Sequence, residues 1–182
     1  VLSLQSALVV AGGYTGAHTA AVEIFKVGTS QWYGTDLLPI AHCHTSLVAI
    51  GNTCYALGGY SGSHLNQALY TSLDNLLSNT VPANQTTHGG SSDTQSTWKT
   101  LPNTPTYRPA AAVLAGNLLA IGGRETSEGG AYIKEVYMYS PSTNSWIYIS
   151  DLPAPRSATA VAILSPMEIL VIGGRGGGRR IQ

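Results

Sequence analysis

Leu118-Leu-Ala-Ile-Gly-Gly123, then Val136-Tyr-Met-Tyr139 and Ser140-Pro-Ser-Thr-Asn-Ser-Trp146, carries the pattern that decides the fold. An apolar run ends in paired glycines, a second run ends in an aromatic, and a tryptophan follows seven residues later. The doublet recurs as Gly12-Gly13, Gly58-Gly59, Gly122-Gly123 and Gly173-Gly174, at intervals of 46 to 64 residues. Trp32, Trp98 and Trp146 precede the next doublet by 26, 24 and 27 residues. A strand-rich repeat of this period, near the roughly 40–50 residues of one blade, predicts a β-propeller.

The segments between the landmarks fit that architecture. Residues 45–50, 110–115 and 159–164 are short apolar runs rich in Ala and Val, as expected of strands buried on both faces at the inner edge of a blade. Gly-Asn at 51–52 and 116–117 suits tight hairpins, because both residues tolerate positive φ. The doublets end the second strand of each unit, where a backbone without Cβ can approach neighbouring chain closely. Gly12, Gly13, Gly58, Gly59, Gly122, Gly123, Gly173 and Gly174 therefore read as structural, as do Trp32, Trp98 and Trp146, which are expected to pack between adjacent blades.

The repeat resembles the kelch motif over nearly the whole chain. Val22-Glu-Ile-Phe25 stands seven residues before Trp32, as Tyr139 does before Trp146. Leu38-Pro39, Leu101-Pro102 and Leu152-Pro153 follow the tryptophans. Arg156, Arg108 and His42 occupy the motif's arginine position ahead of each inner strand. The resemblance implies an all-β fold of kelch-type propeller blades, each of four antiparallel strands, in an incomplete ring. Residues 4–39 give three strands of a first blade, 40–104 a second, 105–153 a third, and 154–174 the start of a fourth, with 175–182 as a frayed tail. The connection over 73–97 in the second blade is long, rich in Ser, Thr and Asn, and expected to be an exposed loop opening with a helical turn. A partial ring leaves unpaired edges, so a second copy completing the ring is an expected partner.

Composition narrows the function classes. Nine basic and nine acidic residues among 182 give zero net charge, and only 10% of residues are charged. Neither nucleic acid nor membrane is expected as a partner. The N-terminus lacks a basic region ahead of an apolar core, so a cytoplasmic chain is expected, with Cys43 and Cys54 as free thiols. Asn84-Gln-Thr86 matches a glycosylation sequon, which has meaning only in a secreted chain.

Catalytic patterns are weak. Ser91-Ser-Asp-Thr-Gln-Ser-Thr-Trp98 resembles the Asp box of sialidases but has Gln95 where that box has glycine, and the box is itself a structural turn. His42-Cys-His44 places two histidines at alternate positions, which on a strand would share a face and permit a metal pair. A propeller enzyme of the copper-oxidase or glycosidase type is thus the alternative reading. The main reading is a protein-interaction module without cofactor, binding a peptide or protein loop at the channel mouth, as the substrate-recognition part of a larger adaptor. Tyr14, Tyr60, Arg124 and Arg175 directly follow the doublets, and the resemblance implies that residues there line a ligand pocket. His42, Arg108 and Arg156 complete the expected binding set.

Overall fold

A computed structural model describes residues 1–4, 6–78, 80–82, 96–128, 130–177 and 179–180. The chain builds successive antiparallel sheets, each starting at an inner strand and meandering outward. In the first, β1 (Leu2–Ser3), β2 (Ala7–Tyr14), β3 (His18–Lys26) and β4 (Gln31–Gly34) lie in sequence order. The second holds β5 (Ser46–Ile50), β6 (Thr53–Tyr60) and β7 (His64–Ser72). The chain then makes a short helix, α1 (Leu73–Ser78), and β8 (Val81–Pro82), before β9 (Lys99–Leu101) closes that sheet against β7. The third contains β10 (Ala110–Leu114), β11 (Asn117–Arg124), β12 (Tyr132–Ser140) and β13 (Ser145–Asp151). The fourth has β14 (Ala160–Ser165) and β15 (Glu168–Ile172). This is an incomplete propeller of four-stranded blades.

Three of the four glycine doublets sit on a β-bulge. The register of the second strand slips between Ala11 and Gly13, between Leu57 and Gly59, and between Ile121 and Gly123. The two glycines face different neighbours. Gly12 and Gly122 have φ of 65° and 57°, and a Cβ on either would collide with the carbonyl of His42 or Arg156, which lead into the next blade. From the second blade on, the second glycine of a doublet faces its own blade's lead-in: the Gly123 position meets the Tyr107 carbonyl and the Thr106 hydroxyl. The doublet is therefore the seam between two blades, and a side chain at the first position would push them apart.

Several expectations are corrected. The second inner hairpin turns at Ala115–Gly116, with φ of 49° and 76°; Asn117 is already in β11, and its amide donates to the Leu114 and Ala115 carbonyls. Residues 175–182 were expected to fray. Instead β16 (Arg175–Gly176) pairs with β17 (Arg179–Arg180), and Arg175 bonds Ser157 through both backbone groups. The same register joins Tyr60 to His64 and Arg124 to Tyr132, so this segment continues the second strand past its doublet and turns into a third.

The long connection is not a simple loop. β8 crosses to the first blade and adds to β4 as a fifth strand, pairing Tyr33 with Pro82 and Gly34 with Val81. Leu73 and Leu76 of α1 enter the core between the first two blades, beside Val22, Ile24 and Trp98. Asp74 in the first turn has its amide capped by Ser72. The sequon at Asn84 and residues 91–95 of the Asp-box-like stretch lie outside the described residues.

The tryptophans divide by position. Trp98 is 6% exposed in the core between blades one and two. Trp146 is half-buried between blades two and three, stacks on Tyr139 and donates its indole N–H to the Pro102 carbonyl across the seam (2.8 Å). Trp32 was expected to pack between sheets, yet it is 43% exposed. Its place on β4 faces where a preceding blade would stand, and its ring lies against Phe25 of its own sheet.

Candidate functional site at the channel mouth

Beyond each bulge the second strand runs on for one residue to the rim of the inner strands. There Tyr60, Arg124 and Arg175 exchange both backbone hydrogen bonds with Cys43, Tyr107 and Ser157. The residues after these partners, His44, Arg108 and Ala158, all adopt left-handed φ, of 60°, 52° and 55°. That conformation is costly for residues with a Cβ, and the paired backbone on either side holds it. The second, third and fourth blades thus each present a post-doublet residue and a left-handed residue at one rim.

Arg108 reaches this rim because its lead-in is short. The carbonyls of Thr19, Leu65 and Ile133 on the preceding blade accept the amides of His42, Arg108 and Arg156, so these three are equivalent when counted from that side. Three residues separate His42 from β5 and Arg156 from β14, but only Pro109 separates Arg108 from β10. Pro109 stands where the rim bridge would otherwise form, and it has no N–H to donate, so the bridge moves back to Tyr107. Arg108 is thereby drawn from a packing position into the rim. On the preceding blade's side, the equivalent of Leu38-Pro39 and Leu152-Pro153 is Thr104-Pro105 rather than Leu101-Pro102. The amides of Leu38, Thr104 and Leu152 bond matching carbonyls of Ala20, Asn66 and Lys134.

Two expected binding residues are withdrawn from the mouth. His42 has 0% exposure; its Nδ1–H donates to the Ile40 carbonyl (2.7 Å), and Gln67 donates to its Nε2 (3.3 Å). Burial holds its pKa below the ordinary histidine value, so the neutral ring is a core group. Arg156 keeps the packing position, with its guanidinium directed at the Ala154 and Gly173 carbonyls (3.4 and 3.5 Å). His42 and His44 face different surroundings, the first buried and the second exposed, so the His-Cys-His spacing does not make a metal pair. Among the described residues no three His, Cys, Asp or Glu groups cluster as a metal site. Cys43 and Cys54 are buried free thiols, and burial pushes Cys54 up to about 12.

Histidines were the missed members of the site. Gly12-Gly-Tyr-Thr-Gly-Ala-His18 and Gly58-Gly-Tyr-Ser-Gly-Ser-His64 repeat one spacing, which was the readable signal. The structure turns it into a row of edge-on rings: Tyr14 to His18 at 5.3 Å, His18 to Tyr60 at 5.7 Å, and Tyr60 to His64 at 5.3 Å. Tyr14, at the end of the row, is largely exposed.

The rim is cationic. A cleft of about 220 Å³ opens between the starts of β5, β10 and β14, lined by His44, Ser46, Arg108, Ala158 and Thr159 among others. Arg124 lies over the Tyr132 ring at 3.9 Å and donates to the Gly130 carbonyl. Burial, with the charges of Arg124 and Arg175, pulls the Arg108 guanidinium below its ordinary value, though a guanidinium stays charged. Its buried Nε has no hydrogen-bond partner, nor do the buried Nδ1 atoms of His18 and His64. Among the described residues the only ion pair is Lys134–Asp151, so no carboxylate neutralises this group.

Comparison with known proteins bears on the repeat. The family described as Kelch motif matches residues 105–153, which span the third blade. This chain carries a kelch repeat. It is similar to the tRNA wybutosine-synthesizing protein 4 of Candida albicans, 39% identical over 74 residues, covering 40% of this chain and 10% of that protein. Kelch-like protein 15 of Danio rerio and of Homo sapiens are 30% and 29% identical over 74 residues, covering 40% of this chain and 12% of each. The kelch chain spans about a tenth of the length of these curated relatives. The solved structure titled Structure of YjhT aligns with a TM-score of 0.64 over 89% of this chain and 47% of its own, at 15% identity, a likeness of fold alone. Its only described helix, α1, has six residues, so no helix among the described residues is long and apolar enough to cross a membrane.

Proposed function

We propose that this kelch arc is a protein-interaction module whose channel mouth binds a peptide or protein loop carrying anionic groups. Kelch repeats and the kelch-like relatives support the interaction role, and the rim chemistry supports the ligand class. The observation that carries it is Arg108: a guanidinium held in left-handed backbone, with a buried Nε lacking a partner, beside Arg124 and Arg175. Like charges gathered without a counterion are unfavourable, and a carboxylate or phosphate entering the cleft would relieve that repulsion and satisfy the orphaned donor. Tyr14, Tyr60 and their histidine neighbours would supply contact area at low entropic cost. No group in the rim is arranged as a nucleophile with its base, so the role proposed is binding without turnover.

The test is fluorescence anisotropy with a rhodamine-labelled octaglutamate peptide, and octaglutamine as the neutral control. Octaglutamate should bind in preference, with an affinity that falls as salt rises. Arg108→Gln should weaken it about tenfold or more, the range for a hydrogen bond to a charged group. Equal binding of both peptides, or no effect of the substitution, would refute the reading.

A further inference from the structure

The same rim joins fixed positive charge to imidazoles that can acquire it. His64, at the start of β7, is faced by Tyr60 on β6, Arg124 on β11, and Arg108 and His44 on the two lead-in segments. His44 is faced by Arg108 and by His18 on β3, and His18 in turn by Tyr14, Tyr60 and His42. Cys43, a buried thiol, is the remaining titratable neighbour of Arg108 besides Arg124, Arg175 and Tyr132. No carboxylate forms an ion pair with any of these groups among the described residues. The β11–β12 loop, whose Ser127 carbonyl accepts the His64 amide, carries Glu125, with its carboxylate turned to the Ala131 amide, and the exposed Glu128.

We infer that an anionic group bound at this mouth brings protons with it: binding is coupled to protonation of His44 and His64, so affinity rises as pH falls. The inference rests on the anion-binding reading above. The geometry supplies the reason. Beside uncompensated Arg108 and Arg124, a second positive charge on either imidazole is disfavoured, and a bound anion reverses that sign. The Nδ1 of His64 is buried with no partner, and a protonated ring carries a donor at each nitrogen where a neutral ring has one, so an entering anion offers the acceptor that protonation needs. Burial first, then Arg108, holds both histidines below their ordinary value in the empty mouth, with Arg124 adding to this at His64. Near neutral pH both are therefore uncharged before binding.

The sign follows by linkage. A ligand that raises the proton affinity of a site is itself bound more tightly where the proton is available. The gain accrues between the free and bound pKa values of each histidine and levels off below the free value. One proton taken up steepens affinity by up to about tenfold per pH unit.

Octaglutamate affinity should be measured across roughly pH 7.5 to 5.5, where the peptide stays largely ionised. The kelch chain should bind at least about tenfold more tightly at the lower end. Calorimetry near pH 6.5 in MES and in Bis-Tris, buffers of different ionisation heat that carry neither carboxylate nor phosphate, should give heats that differ by the proton uptake, a readout that needs no variant. The double variant His44→Asn, His64→Gln should bind with little pH slope; asparagine tolerates the left-handed backbone at position 44. A flat profile in the unmodified chain, or a slope retained in the double variant, would overturn this inference while leaving anion binding intact. Absence of octaglutamate binding at every pH would overturn the anion reading and this inference with it.

Discussion

The seam between blades one and two differs from that between blades three and four, although the same repeat builds both. In the first, Val9, Val22 and Ile24 meet Cys54, Ala56 and Trp98, and Leu76 of α1 fills the outer part of the gap. Polar ties cross it: Lys26 donates to the Leu77 carbonyl and to Thr80, Thr35 to the Leu76 carbonyl, Ser96 to the Leu37 carbonyl, and Thr97 to Asp36. In the other, Ile121 and Val136 face Ile169 and Val171 across a cleft of about 470 Å³, and Ile163, paired with Ile169, remains exposed. The inner hairpin alone does not close a seam. Outer strands, or an insertion that stands in for extra ones, supply the density that makes large side chains count.

The largest way to test this contrast is Trp98→Ala. Emptying that site should cost about 3–5 kcal/mol in denaturant unfolding, the range for a buried large aromatic. A loss below about 1 kcal/mol would mean the first seam is no tighter than the last. Next, Leu76→Ala tests the insertion alone and should cost about 2–3 kcal/mol, because the helix has few other contacts with which to collapse into the cavity. If Leu76→Ala proves neutral, α1 rests on the seam without stabilising it. The smallest effect is expected for Trp32→Ala, under about 1 kcal/mol, since its ring is already half in solvent. A cost equal to that of Trp98→Ala would reveal a surface that covers Trp32 in solution.

The repeated elements were readable because they are local. Apolar runs, bulge glycines and tryptophan spacing are each set by a few neighbouring residues, and the blade order followed from counting them. What escaped the sequence was set by interplay between blades. Val81-Pro82 has no strand signal of its own and becomes one by lying against β4. Arg108 shares its motif position with His42 and Arg156, and only the shortened lead-in with Pro109 turns it into the rim. His42 matched the same position and was expected to reach the mouth, but a regular-length lead-in buries it. His64 was missed for the opposite reason: its spacing was plain, but a lone imidazole gains meaning only from the arginines that the fold brings beside it.

The two glycines of a doublet, one facing the following lead-in and the other its own, also define which cuts the chain can accept. The indivisible cassette runs from one doublet to the next and straddles two sheets, since removing a whole sheet would leave one glycine of a pair with nothing to face. Gain or loss of a repeat should therefore respect doublet boundaries rather than sheet boundaries. Lengthening between the third and fourth strands of a blade touches neither glycine. That is the place where this chain carries its 73–97 addition.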